Sequence, residues 1–398
     1  MASSLNSGPV YFCFAVSTGI SGQIAATEMV IRGLRGRGWT CRVLSQPVLD
    51  REGGRVLARF RYGARLLAAW MRSLSLLRAR RGWLYLNLGQ TRSAFFRATF
   101  PLLLGSLCPG RARTVISLHG NLFLRWPDTS LETRWFRFLL GRAGRVTVLG
   151  EGQRARLLAL GVPDSCVTIL LNSCALEPAS VNFVRAKHSE PHGNDRPVRC
   201  LHLGGLYCSK GFPEYLGALL QMSTEPGIAV NAVLCGPLIE GDSSDRFNDT
   251  QSAERWIEGT MEQINRSARV RVRWIKGAYG AEKEALFREA DLFILPTHYA
   301  IEAQPLVLLE AMASGCAIIT TRAGEIPAIL DEQTAVLLPE VSIRALVTAV
   351  DMLVENGALR RDLAIAAHAR FMKCYQVERH LDSWEALLND MGAIPAGV

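Results

Sequence analysis

Two glutamates, Glu302 and Glu310, are separated by seven residues that include the dipeptide Gln304-Pro305, and an apolar run then continues to Gly315. Proline is favoured at the first position of a helix, where its missing N–H costs nothing, and glycine is a common terminator, so the spacing predicts a helix from Pro305 to Gly315. A strand, DLFILP, precedes it and ends near Pro296. The N–H groups of Leu306 and Val307 then open into the loop at the strand end, backed by the positive end of the helix dipole, which makes an anion site. Glu310 lies one turn further on and Glu302 approaches from the loop. Two carboxylates aimed at one place accept hydrogen bonds from vicinal hydroxyls, as a ribose or a hexose presents them. Other chemistries lack their residues: the sequence holds no Asp-x-Asp triplet, and its ten cysteines form no Cys-x-x-Cys pair near a histidine cluster. A structural zinc site is not expected, and scattered thiols suit a reducing compartment.

Residues of this kind must be held by the ends of strands. In the first half, short β-rich runs at 10–16, 41–44, 83–88, 114–119, 145–150 and 167–172 alternate with helical patterns, the first helix running from about Ile24 to Arg37. From Asn172 to Arg196 the pattern gives way to Pro, Asn, Ser and His, and it resumes with strands at 198–205, 228–236, 270–277, 291–296 and 317–321. Alternating strands and helices predict parallel, doubly wound sheets, and a chain of 398 residues has room for two. The expected fold is therefore α/β, with Rossmann-like domains at 1–180 and 197–375, a linker at 181–196, and a helical tail at 376–398 crossing back to the first domain. Ligands of such sheets bind beyond the carboxyl ends of the strands.

The paired glutamates, followed by EAMASG, resemble the signature of the retaining glycosyltransferases of family four, a group with the GT-B fold that includes bacterial polysaccharide-type enzymes. The resemblance runs nearly end to end. It takes in a glycine loop with Gly19 and Gly22, SLHGN with His119, VTVLGEGQRARLLALGVPDSCVTILLN, HLGGLYCSKG with Lys210, LCGPL and GAYGAEKEALFREAD. It implies two domains facing across a cleft, with the acceptor on the first and a nucleotide-diphosphate sugar on the second. Lys210 resembles the lysine at the donor diphosphate, where an ammonium stabilises the charge of the leaving group. Glu310 matches the residue for the nucleotide ribose, Glu302 the one for the transferred sugar, and His119 the histidine beside the reacting sugar. Gly19, Gly22 and Gly205 let backbone approach the diphosphate, and Gln304, Pro305, Leu306 and Val307 complete the donor side. No metal or other cofactor is implied.

Two departures stand out. Gly204-Gly205-Leu206 occupies the place of a Gly-Arg-Leu run, so a bidentate clamp on the diphosphate is missing; Arg322 or an arginine of the first domain is a candidate replacement. In GEIPAIL, Ala328 stands where a glutamate commonly follows the proline. Ala278 and Tyr279 fall where the base would pack.

The net charge of +9 conceals an imbalance: residues 1–160 carry 24 Arg, no Lys and 6 acidic residues, or +18, and the remainder 21 basic and 30 acidic, or −9. The segment 55–81 fits a helix whose expected core face holds Val56, Leu57, Phe60, Ala64, Leu67, Met71 and Leu74. Arg61, Arg65, Arg72 and Arg80 lie opposite, with Arg55, Arg59, Leu66 and Trp70 beside them. Guanidinium groups with an interfacial tryptophan suit an anionic membrane surface. No apolar run is long enough to span a bilayer, the stretch Ala94 to Cys108 being broken by Arg97 and Pro101, and the first residues carry no export signal.

The expected activity is transfer of a hexose from a nucleotide-diphosphate sugar to a saccharide or a polyprenyl-diphosphate-linked saccharide in polysaccharide assembly. The expected place is the cytoplasm, peripheral on the inner face of its membrane. An NAD(P)-dependent oxidoreductase is the competing enzyme class, but no G-x-G-x-x-G follows a predicted strand. A non-catalytic basic protein binding nucleic acid or membrane is the other alternative. Against nucleic acid, the arginines belong to no recognisable module and the acidic half repels a polyanion.

Overall fold

A computed structural model describes residues 8–15, 22–47, 55–78, 82–107, 113–189, 196–239, 246–299 and 301–393. The chain divides into two compact units, Met1–Ser173 with Val377–Val398, and Cys174–Gln376.

In chain order the first unit runs β1 (Val10–Ala15), α1 (Gly22–Gly36), β2 (Cys41–Gln46), α2 (Arg55–Ser73), β3 (Trp83–Asn87), α3 (Arg92–Gly105), β4 (Thr114–Ser117), α4 (Leu131–Leu140), β5 (Arg145–Val148), α5 (Glu151–Ala159) and β6 (Val167–Ile169). Its described strands form a six-stranded sheet in the order β2-β1-β3-β4-β5-β6, and the pairings are parallel. The second unit follows with α6 (Val181–Lys187), β7 (Val198–Leu203), α7 (Phe212–Ser223), β8 (Val230–Cys235), α8 (Thr250–Ile264), β9 (Val270–Ile275), α9 (Gly280–Glu289), β10 (Leu292–Leu295), α10 (Leu306–Ala313), β11 (Ala317–Thr321), α11 (Ile326–Ile329), β12 (Val336–Leu338), α12 (Ile343–Glu355) and α13 (Gly357–Cys374). Its sheet has the order β12-β11-β10-β7-β8-β9, again parallel.

The strands are continuous apolar runs because helices cover both faces of such sheets. Leu292, Phe293, Ile294 and Leu295 of β10 are all buried. The core of the second unit joins β7, β8, β10 and β11 to α7 and α12 through Leu216, Leu219, Leu234, Ile294, Ile319, Leu346 and Val350. In the first unit, the last helix α14 (Val377–Ala393) supplies Leu381, Trp384, Leu387, Leu388 and Met391 to a cluster with Phe12, Trp83 and Tyr85. Trp83 Nε1 donates to the Leu388 carbonyl at 3.1 Å, and Trp39 Nε1 to Glu385 Oε1 at 2.7 Å.

Three expectations need correction. Residues 181–187, read as linker, form α6, a helix capped by Ser180 Oγ accepting from the Phe183 amide, and they belong to the second unit. The strand β12 has no counterpart in the sequence reading. The helix at 55–81 ends at Ser73 and continues as a 3-10 segment, Leu74–Arg78, and its buried residues are not those expected. Ala58, Leu66, Ala69 and Ser73 are buried, whereas Phe60, Leu67 and Met71 are 76%, 60% and 59% exposed. The side chains of Arg55, Val56 and Leu57, and Arg80, lie outside the described residues.

Candidate functional site

The order of the second sheet makes its chemistry local. The chain moves outward from β7 through β8 to β9, then returns to the other side of β7 as β10, so the loops leaving β7 and β10 part at neighbouring strand ends, where open α/β sheets bind ligands.

The loop after β7 reaches a 3-10 turn, Cys208–Lys210, and then Gly211 at φ +83°. A Cβ on Gly211 would lie 2.3 Å from the Pro296 carbonyl oxygen, so only glycine lets this loop rest on the end of β10. The two loops are then tied directly, the His298 amide donating to the Ser209 carbonyl at 2.8 Å. That register delivers Lys210 to Glu302. Lys210 Nζ lies 3.4 Å from Glu302 Oε2, which also accepts from Thr297 Oγ1 at 3.2 Å. Lys210 sits 5.6 Å from the centre of the Tyr299 ring, and Tyr299 stacks on Tyr207 with ring centres 5.5 Å apart. Glu302 is buried and Lys210 mostly so.

Helix α10 starts one residue later than expected. Pro305 is its cap, with ψ 119°, and Leu306 its first helical residue. An extended ψ at the cap turns the chain into the helix, and the amides of Leu306 and Val307 precede the first bond of the turn, Leu308 N–H to the Pro305 carbonyl at 3.1 Å. Gln304 and Pro305 are buried, Leu306 and Val307 half-buried. Gly315, at φ +65°, follows the helix end at Ser314.

Glu310 is buried on α10. Its Oε1 accepts from Lys283 Nζ at 2.6 Å, while Oε2 is enclosed without a hydrogen-bond partner among the described residues. Burial pushes the Glu310 carboxyl up, and the Lys283 ammonium pulls against that by charge and by hydrogen bond. Lys283 was not singled out from the sequence. It stands in the first turn of α9, among periodic neighbours that give it no distinction, and the available signal was compositional: it is one of five lysines among 45 basic residues.

The departures also have local settings. Gly204 and Leu206 extend β7 alongside β8, their amides donating to the Cys235 and Pro237 carbonyls at 3.0 and 2.8 Å. A side chain on Gly205 would come within 3.3 Å of Ile239 and Tyr207. Arg322 pairs with Glu332 at the surface. Ala278 is buried, and Tyr279, the cap residue of α9, is exposed. A hollow elsewhere in this unit, against β7, β8 and β9 and lined by Arg199, Asn231, Arg271 and Arg273, contains none of these residues.

In the first unit, His119 follows β4. Its Nε2 lies 3.1 Å from Ser117 Oγ and 3.3 Å from the Tyr85 hydroxyl. Burial, with His380 nearby, pulls its pKa down to about 4, Asn172 opposing, so the imidazole is neutral at pH 7. A small cavity adjoins it, lined also by Ser117, Thr147, Asn172, His380 and Trp384. Gly22 is exposed at the start of α1, and Gly19 lies outside the described residues. Arg59, Arg61, Arg65 and Arg72 of α2 are exposed. Trp70, expected among them at the surface, instead packs between α2 and α3, with ring centres 5.4 Å from Phe96 and 5.3 Å from Phe100 and Nε1 donating to the Arg97 carbonyl. The aromatic face of α3 turns α2 so that Trp70 is half-buried.

Residues 20–177 match Glycosyltransferase Family 4, and residues 186–370 match Glycosyl transferases group 1. No curated protein matches the chain by sequence at a significant level. Among solved structures, Alr3699/HepE of Anabaena in complex with UDP-glucose is similar over 96% of this chain and 100% of its own, with a TM-score of 0.66 and 15% identity. Sucrose-phosphate synthase of Thermosynechococcus elongatus is similar over 97% and 99%, with a TM-score of 0.68 and 17% identity. A trehalose-6-phosphate protein of E. coli bound with UDP-2-fluoro glucose is similar over 97% and 99%, with a TM-score of 0.64 and 11% identity. Identities this low speak for the fold alone. With both family matches placed in order along two parallel α/β units, the chain belongs to the family-four glycosyltransferases of GT-B fold.

Proposed function

We propose that the chain is a retaining hexosyltransferase that uses a nucleotide-diphosphate sugar and elongates a saccharide, carried on a polyprenyl diphosphate, in polysaccharide assembly. The observation that carries the donor side is the Lys210–Glu302 pair where the loops leaving β7 and β10 are tied together, followed on α10 by Glu310, a buried carboxylate with one oxygen unpartnered among the described residues. In this reading the ammonium of Lys210 leaves Glu302 for the diphosphate and stabilises the charge that grows as the glycosidic bond breaks. Glu302 orients the hexose through its hydroxyls, Glu310 accepts from the ribose, and the amides of Leu306 and Val307 bind phosphate or sugar oxygens. The acceptor hydroxyl attacks on the face that the diphosphate leaves, and the leaving phosphate takes its proton, so positioning and leaving-group electrostatics do the catalysis. His119 hydrogen-bonds a sugar or acceptor hydroxyl as a neutral imidazole. The reaction is proposed to need no metal, which the missing Asp-x-Asp triplet supports.

A thermal-shift panel of UDP, GDP, ADP and their glucose or mannose derivatives identifies the donor, since a ligand of the folded state raises Tm. NMR of the product then gives its anomeric configuration. Glu310→Ala and Lys210→Ala should each lower kcat/KM about a hundredfold or more with the fold kept, the scale of losing a charge-assisted hydrogen bond in a closed site. Near wild-type turnover in both, or an inverted product, overturns the reading.

A peripheral place on the inner face of the cytoplasmic membrane is also proposed. It is supported by the exposed Phe60, Leu67 and Met71 between the arginines of α2. No helix among the described residues is long and apolar enough to cross a membrane.

A further inference from the structure

Glu310 and Lys283 form an ion pair whose side chains are only 11% and 26% exposed. A pair this buried contributes little to stability over an apolar pair of the same volume, because desolvation cancels most of the attraction. Lysine in the first turn of α9 also faces the positive end of that helix, where a cation is disfavoured. In an arginine-rich chain, a lysine here is therefore poorly explained by stability. What it does to Glu310 is specific. It ties Oε1 and leaves Oε2, equally enclosed, without a partner among the described residues. A buried carboxylate oxygen in that condition needs a donor. Cys174, on which Glu310 acts by its charge, is a buried thiol whose pKa is raised by burial and then by Glu310 itself, so it remains neutral and does not compensate the charge.

We propose that Lys283 is a positioning residue for the nucleotide: it holds Glu310 ionised and fixed so that Oε2 accepts from a ribose hydroxyl, which makes the Lys283–Glu310 pair the element that distinguishes ribonucleotide from deoxyribonucleotide donors. This rests on the proposed donor site and adds to it a residue and a selectivity. Without Lys283, burial favours a protonated Glu310, whose single proton is free to point either way, and the preference for the ribose is lost while the distance from the reacting bond spares the chemical step.

The test is isothermal titration of UDP, GDP and ADP, each beside its 2′-deoxy and 3′-deoxy forms, against the wild type, Lys283→Met, Lys283→Arg, Glu310→Ala and the double variant Lys283→Met/Glu310→Gln, which leaves no buried charge and guards against misfolding. The wild type should prefer one ribonucleotide over a deoxy form by about tenfold or more, the scale of a hydrogen bond to a charged group. Lys283→Met and the double variant should bind both forms at the weaker level, and Lys283→Arg should restore most of the preference. In turnover, Lys283→Met should raise the donor KM more than it lowers kcat, as expected for binding shared by ground and transition states. If Lys283→Met keeps the preference while Glu310→Ala loses it, the inference fails and the donor site stands. If Glu310→Ala also binds like the wild type, or the wild type shows no preference, the donor-site reading fails and takes this inference with it.

Discussion

Gly211 shows how much of the site depends on one missing atom. It sits at φ +83°, with the Pro296 carbonyl 2.3 Å from where a Cβ would be, and the next residue back in the chain is Lys210. Gly211→Ala should therefore cost about 1–3 kcal/mol through backbone strain, and in addition move the loop off β10 and part Lys210 from Glu302. Gly204→Ala is the control, because nothing lies within 4 Å of a Cβ there, and it should change stability by less than about 1 kcal/mol. Urea unfolding measures both; equal effects would contradict the close approach described here. The residues at this scale were unevenly legible. Lys210, Glu302 and Glu310 stand in a spaced pattern that the sequence displays. Lys283 and Thr297, which hold Glu310 and Glu302, do not, since their importance comes from contacts between segments 27 and 5 residues apart that no local pattern encodes.

At the scale of the element, the strands that build both sheets were readable because a buried parallel strand is a continuous apolar run. The exception, β12, has three residues, two of them only half-buried, too few to separate from a loop. Helix α2 was read with the wrong face inward. Phe60, Ala64, Leu67 and Met71 recur at helical spacing as a core stripe does, and so do the buried Ala58, Leu66, Ala69 and Ser73. Periodicity locates a helix and its stripes; which stripe meets the protein is decided by the partner, here the Phe96 and Phe100 side of α3 that receives Trp70. The outcome gives α2 an exposed apolar row flanked by Arg59, Arg61, Arg65 and Arg72, the composition of an in-plane interfacial helix. The protein should co-sediment with vesicles containing phosphatidylglycerol and far less with phosphatidylcholine alone, each arginine adding on the order of 1 kcal/mol near an anionic surface. Phe60→Ser/Leu67→Ser/Met71→Ser should weaken binding with Tm unchanged, and neutralising the four arginines should remove the preference for anionic lipid. Equal binding to both vesicles at low salt, or a triple serine variant that binds like the wild type, counts against the membrane reading.

Across the whole molecule, the charge imbalance of +18 against −9 separates the two halves, but the titratable groups that govern stability are distributed over both units and are buried. Burial pulls His119 and His380 of the first unit, and His188 and His202 of the second, down to about 4 from the usual 6.5. Two of them are fixed by backbone carbonyls, His188 Nε2 at 2.9 Å from Gly315 and His202 Nδ1 at 2.9 Å from Ile294. A neutral buried histidine takes up its proton on unfolding, so between pH 6.5 and about 4 the unfolded chain binds more protons than the folded one, and stability falls as pH falls. Above pH 6.5 the contribution is complete. Glu310 and Asp351, whose carboxyls are raised chiefly by burial, work in the opposite sense at the acid end of that window. Four histidines outweigh two carboxylates there, each histidine contributing at most about 1.4 kcal/mol per pH unit. Calorimetry at pH 8.5, 7.5 and 5.0 should therefore show Tm nearly constant over the first interval, which lies above pH 6.5, and then falling by roughly 5–15 °C by pH 5.0, given two such histidines in each unit and about 2–4 °C per kcal/mol for units of this size. His380→Gln should flatten the slope whatever it does to the Tm at pH 7.5, because the slope counts protons taken up and the Tm counts contacts. A Tm that holds level down to pH 5.0 would mean that these imidazoles are hydrated in solution and that the cavity beside His119 is open to water.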